Sequence, residues 1–193
     1  MKQLLLIFCY LLSLSALDED EILLKSGIKE TIKTNTFKVD YNERKISYQT
    51  NSNKEVTLHF KDFDWVTVGV NKFQSFILEG SSVSEGYFVL SETATKKLIF
   101  RTTQDEDSSL IKYVFYVIDN NNKILDYHSF DNGTSKKSIT QRSEIFLKIR
   151  YYFADCTDMI QRLELYDQYS TDMSHSRIVL FFKTPIYYNC TSK

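Results

Sequence analysis

Apolar and polar residues alternate with a period of two along much of this chain. Val56, Leu58 and Phe60 are interleaved with Thr57 and His59, and Val66, Val68 and Val70 with Thr67 and Gly69. Ile145, Leu147, Ile149, Tyr151 and Phe153 make the longest such row, set against a second row containing Lys148 and Arg150. Successive side chains on a strand point to opposite faces, so each pattern predicts a strand with one buried face, and 145–153 is the clearest of them. Four further runs, Tyr87–Leu90, Leu98–Phe100, Tyr113–Ile118 and Ile178–Phe182, are apolar at nearly every position. They are short and rich in Val, Ile, Phe and Tyr, which suits strands covered on both faces.

Polar clusters separate these runs: Gln104–Ser109, Asp119–Lys123, Asp131–Ser138 and Gln168–Ser176. Strands spaced by turn-rich segments in this way predict a mainly β fold, an antiparallel β-sandwich of jelly-roll or immunoglobulin type, with room for one or two short helices. With five Gly and one Pro in the chain, Asn, Asp, Ser and Lys must supply most turns. Asp119-Asn120-Asn121-Asn122-Lys123 is the best hairpin candidate, because Asn and Asp tolerate left-handed backbone. Pro185 is expected to end the last strand. Two segments are open to a helical reading: Asp18–Lys33, interrupted by Ser26-Gly27, and Asp158–Asp167, read as a short helix or turn leading into a strand. The polar stretch Tyr48–Lys54 reads as one loop of a single domain spanning 17–193.

The first sixteen residues change the picture, because they carry an address. Lys2 precedes an apolar run from Leu4 to Leu12, followed by the small residues Ser13, Ser15 and Ala16. That is the charged start, apolar centre and small-residue exit of a secretory signal peptide, expected to be cleaved between Ser15 and Leu17. The run is shorter than the roughly 20 apolar residues of a spanning helix, and no later run is longer than a strand. The mature chain is therefore expected to be secreted or held in the lumen of the secretory pathway, with no stable membrane insertion.

Composition fits that address. Hydrophobic residues make up 42% of the 193, enough for a sizeable core, and the formal net charge of −1 offers no basic surface for nucleic acid. Cys9 leaves with the leader, so the mature chain keeps Cys156 and Cys190, an even pair that predicts one disulfide in an oxidising compartment. Two sequons, Asn132-Gly133-Thr134 and Asn189-Cys190-Thr191, are candidate glycosylation sites at Asn132 and Asn189.

Little in the chain announces catalysis. His59, His128 and His175 lie far apart with no ligand-spaced partner, so no zinc site is expected. Asp105-Glu106-Asp107 and Asp62-Phe63-Asp64 offer carboxylates that calcium could use, but no Asp-x-Asp-x-Asp-Gly loop is present and solvated loops are the favoured reading. There is no Gly-x-Ser-x-Gly elbow and no glycine-rich phosphate loop, and no cofactor is expected. A pair of carboxylates for glycoside hydrolysis would be a spatial feature that the sequence does not display. Aromatic rings are the remaining chemistry: Trp65, Tyr152, Tyr187 and Tyr188 form the candidate binding surface, with closure of one end of the core as the favoured role for Trp65.

The run from Tyr113 through Phe153 (strand, Asp/Asn turn, Ile124-Leu125, polar loop, alternating strand) resembles the luminal sandwich of the p24 cargo-trafficking family, and no function is carried across from it. The leading expectation is a secreted, non-enzymatic β-sandwich glycoprotein that binds a protein or a glycan. A self-associating structural or secretory-granule protein and a carbohydrate-active enzyme are the alternatives.

Overall fold

The computed structural model describes residues 20–104, 108–167 and 176–191. The leader with its cleavage site, the acidic loop 105–107, and His175 lie outside the described residues. The chain is mostly β. In order it runs through β1 (Glu21–Leu24), β2 (Lys29–Thr31), β3 (Lys38–Asp40), β4 (Lys45–Gln49), β5 (Glu55–His59), β6 (Phe63–Val68), β7 (Asn71–Phe76), β8 (Glu85–Glu92), β9 (Lys96–Gln104), β10 (Ile111–Asp119) and β11 (Ile124–Asp131). Three helices follow, α1 (Lys136–Phe153), α2 (Thr157–Asp167) and α3 (Ser176–Lys183), and then a short strand β12 (Tyr188–Asn189).

The large sheet has the order β11-β10-β9-β8-β7-β6-β1-β2, so β6 through β11 follow one another as an antiparallel meander. β12 joins β8 in parallel, and β3-β4-β5 form a separate small sheet. Turn chemistry follows the scarcity of glycine. Asn35, Asn53 and Asn122 take positive φ, and Asp119 Oδ1 accepts from the N–H groups of Asn121 and Lys123 at 2.8 and 2.9 Å to shape the β10–β11 hairpin. Gly27, at φ +83°, makes the turn of the β1–β2 hairpin, so the described part of Asp18–Lys33 holds two strands rather than a helix.

One face of the large sheet carries a cross-strand ladder of rings. Phe73 lies opposite Phe88, Phe88 opposite Phe100, and Phe100 opposite Phe115. Their centroids are 5.1, 5.6 and 5.6 Å apart, and Phe130 continues the row 5.5 Å from Phe115. Such pairs contribute about 0.5–1.5 kcal/mol each beyond burial. Two units cover this face in sandwich-like fashion. At one end Ile46 and Tyr48 of β4, with Phe60, pack on Ile22, Val66 and Phe73. At the other, the helices pack on Phe100, Tyr113, Phe115 and Phe130, and Phe88 touches both clusters. The opposite face buries Phe76, Tyr87, Val89, Ile99 and Ile118.

Two expected strands are helices. The row 145–153 belongs to α1, where Ser138, Arg142, Ile145, Phe146, Ile149 and Phe153 are buried while Leu147 and Tyr151 are 64% and 80% exposed. That spacing of three and four is one helical face. Ser135 caps the helix by accepting from the Ser138 N–H at 3.1 Å. The likeness of 113–153 to a trafficking sandwich therefore ends at the polar loop. Likewise 178–182 belongs to α3, with Ile178, Val179, Phe181 and Phe182 buried and Leu180 52% exposed, so Pro185 follows a helix rather than a strand. Phe182 seats 4.5 Å from Phe115 and 5.7 Å from Phe130. The broad, flat ring ladder needs a cover, and a helix presents four large side chains to it within two turns, whereas a lone strand there would leave its own backbone polar groups unpaired. Val70 is also displaced from its strand, lying 62% exposed in the β6–β7 turn.

A disulfide joins Cys156, buried between α1 and α2, to Cys190 just after β12, with Cα atoms 5.4 Å apart. It fastens the helical cover to the end of β8, through β12.

Candidate functional site

The four aromatic residues singled out from the sequence fall in different places. Trp65 is half-buried on β6 beside Leu23 and Gln74, with the Lys29 ammonium 5.1 Å from its ring centroid. β6 and β11 are five strand spacings apart, about 24 Å, so Trp65 does not share a surface with Tyr152 at the β11 edge. Tyr187 is occupied with structure. Its hydroxyl donates to Glu92 at 3.0 Å, and the Lys72 ammonium stands 4.6 Å from its ring. Tyr188 is half-buried against the helical core.

Glu92 is the centre of that structural network. Lys72 and Lys97 both bridge to its carboxylate, each of the three side chains being no more than one-fifth exposed. Burial pushes the Glu92 acid up, but the hydrogen bonds and charges of Lys97 and Lys72 outweigh it and hold the acid at about 2. The arrangement ties β7, the start of β9 and the residue before β12 to the end of β8.

Tyr152 is different, because it borders an exposed apolar surface that the sequence reading did not identify. β11 is the outermost strand of the large sheet, and α1 lies along it. Leu125 and Tyr127 on β11 are 45% and 48% exposed, and Leu147 and Tyr151 on α1 more so. The Tyr151 and Tyr152 rings meet edge to face at 4.9 Å, and Tyr127 stands 5.3 Å from Tyr116. The signal for this surface was present in the i, i+4 pair Leu147 and Tyr151, but it becomes readable only once 145–153 is known to be helical.

Asp126 organises the border between the two elements. Its carboxylate accepts from Lys148 Nζ at 2.7 Å to both oxygens and from the Tyr127 N–H at 2.7 Å, and it pairs with the Tyr152 hydroxyl. Partial burial raises the Asp126 acid, yet these donors prevail and hold it below the usual carboxylate range. Taking up the Tyr127 N–H also blocks one group of the exposed strand edge, a common guard against edge-to-edge pairing. What remains available on α1 is the pair Leu147 and Tyr151 with the Tyr152 ring against Tyr151, beside the Lys148–Asp126 pair and Arg150, which bridges to Asp167 at 2.8 Å; Leu125 and Tyr127 lie on the other face of the sheet, with Tyr116.

Other parts of the molecule offer less. A groove of about 570 Å³ runs between the β3–β4 hairpin and the ends of β9 and β10, lined by Lys38, Asp40, Tyr41, Lys45, Thr103 and Gln104. Among the described residues no group of three or more His, Cys, Asp or Glu could hold a metal ion. Asp64 of the weighed calcium motif bridges to Lys25, and Asp62 accepts from the His59 N–H. No described helix is long and apolar enough to cross a membrane. Asn132 is half-buried, with its Oδ1 accepting from the Ile111 N–H at 2.9 Å, and Asn189 is exposed. Comparison with known proteins returns no relative: no family model, no curated protein and no solved structure matches this chain.

Proposed function

We propose that this chain is an exported, non-enzymatic glycoprotein, cleaved after its leader (1–16), that binds another protein through the outward side of α1. The observation that carries this reading is the exposure of Tyr151 at 80% and Leu147 at 64%, one turn apart on a helix that buries Ile145, Phe146, Ile149 and Phe153. An exposed ring and leucine one turn apart, flanked by charged pairs, are a common feature of a protein-docking surface, and tyrosines there often carry much of the binding energy. The Lys148–Asp126 pair holds the border of the face in place before a partner arrives, which lowers the ordering cost of binding. The disulfide supports passage through an oxidising compartment.

A second reading, glycan binding, rests on the wide groove at Lys38 and Lys45, whose hydroxyls, amide and ammonium groups suit a polyhydroxylated ligand. One experiment separates the two. Tagged mature protein is recovered from medium with and without Leu147→Lys plus Tyr151→Lys, and both forms are applied to a glycan array. The protein-docking reading expects a partner held by the parent to fall at least tenfold in the variant while the melting temperature is unchanged. An unchanged partner set overturns it. Array binding that survives the double substitution and is lost with Lys45→Ala favours the groove.

A further inference from the structure

Building on the exported reading above, we infer that the sequon Asn189-Cys190-Thr191 accepts a glycan only before the Cys156–Cys190 bridge closes, so that glycan transfer and disulfide formation compete for one short segment.

The folded protein holds the backbone of that segment. Tyr188 and Asn189 pair in parallel with Ser91 and Glu92, the Cys190 N–H donates to the Glu92 carbonyl at 2.7 Å, and the Tyr187 N–H donates to the Val70 carbonyl at 2.8 Å. Cys190 is tied covalently to Cys156, which is 1% exposed, and the Oγ of fully buried Ser91 lies 3.4 and 3.5 Å from the two sulfurs. The acceptor side chain is itself engaged. Asn189 Oδ1 accepts from the Thr191 N–H at 3.1 Å and from Thr191 Oγ1 at 2.6 Å. An enzyme that modifies a backbone segment must draw several residues into its own groove, which here requires breaking the β12 pairing and moving a residue bridged to the core. Once the bridge has formed, the sequon is closed to transfer.

The reverse order meets no obstacle. Asn189 is exposed in the folded protein, so a glycan attached earlier projects into solvent and does not oppose docking of β12. In the transfer, Asn189 Nδ2 attacks the anomeric carbon of a lipid-pyrophosphate-linked oligosaccharide. The N–C bond forms, the C–O bond to pyrophosphate breaks, the lipid pyrophosphate departs, and the amide proton passes to a base on the transferase. In the competing reaction the Cys156 and Cys190 thiols give two electrons and two protons to the disulfide of a thiol oxidoreductase, which leaves as a dithiol. Asn132 has no such coupling, because its sequon contains no cysteine.

The test uses the full chain with its leader, expressed in a secretory host with Asn132→Gln so that only Asn189 is read. Occupancy is measured by glycosidase-sensitive gel shift and by mass spectrometry of the peptide containing Asn189. Cys156→Ser removes the bridge without altering a residue of the sequon. The expected result is partial occupancy when the bridge can form and at least twofold higher occupancy in Cys156→Ser. Dithiothreitol present during synthesis should raise the bridge-competent chain to the same level, which removes dependence on how well the variant folds. Equal occupancy in all three, including none or complete, overturns the inference. A parent chain that carries no glycan at Asn132 and keeps its leader overturns the exported reading instead, and the inference falls with it.

Discussion

The pair Phe146 and Leu147 offers the sharpest test of how this chain packs. If 145–153 were a strand, Leu147 would lie in the core row with Ile145 and Ile149, and Phe146 would face away from it. In the helix the order is reversed: Phe146 is 2% exposed and meets Phe181 edge to face at 5.7 Å, while Leu147 is 64% exposed. Phe146→Ala therefore empties a ring-sized volume between α1 and α3, a change that costs about 4 kcal/mol when the surroundings relax only partly. Leu147→Ala removes a mostly solvated side chain from a position where alanine is a good helix former, so its effect should stay within about 0.5 kcal/mol. Urea unfolding of the disulfide-intact mature chain reads both. With a slope of about 2 kcal/mol per molar, Phe146→Ala should lower the midpoint by about 2 M and Leu147→Ala should scarcely move it. A large loss for Leu147→Ala with a small one for Phe146→Ala would refute the helical packing, and with it the docking face.

Three further outcomes follow from particular contacts. Glu92 is a stronger acid folded than unfolded, falling from 4.5 to about 2, so its stabilisation is present above pH 4.5 and is lost as the pH drops towards 2. Glu92→Gln should cost about 2 kcal/mol at pH 7 by leaving Lys72 and Lys97 unneutralised, and should flatten the acid limb of a stability–pH curve; an unchanged limb counts against the network. A Cβ at position 86 would lie 2.7 Å from Phe73 Cε1 and 2.9 Å from Phe60 Cζ, so Gly86→Ala should lower stability by about 1–3 kcal/mol, measurable as a fall in melting temperature. Asp126→Ala frees the Tyr127 N–H on the outermost strand, and sedimentation at rising concentration should show more self-association than in the parent; a variant that sediments as the parent does would deny Asp126 its guarding role.

The sequence was most legible where one local signal had one physical meaning. Tyr87–Leu90, Leu98–Phe100 and Tyr113–Ile118 are short, β-branched and aromatic, and they became strands buried on both faces. Asp119–Lys123 became the hairpin turn because an aspartate can accept from two nearby N–H groups and Asn122 can take positive φ. It was least legible where two periodicities coincided. Ile145, Ile149 and Phe153 fit a spacing of two as well as one of four, and the residues that would have decided between them, the Ser135 cap and buried Arg142, carry no apolar signal. Arg142 is inside because its guanidinium donates to the carbonyls of Asp131 and Gly133, partners that only the folded chain supplies. The candidate site inherited this ambiguity. Tyr152 was visible as an aromatic, but the exposed neighbours that give it meaning depend on the helix.

Taken alone, the order of residues determined the β-rich class, the turn chemistry, the secretory-type leader pattern and a cysteine pair fit for bridging, because each rests on local backbone preference or on counting. Tertiary structure decided that the ring ladder is covered by helices at one end and by a small sheet at the other. It also decided that Trp65 and Tyr152 stand on different surfaces, and that Leu147 and Tyr151 face solvent. Those outcomes depend on which distant surface a segment must cover, and a contact between residues far apart in the chain leaves no period for a local pattern to show.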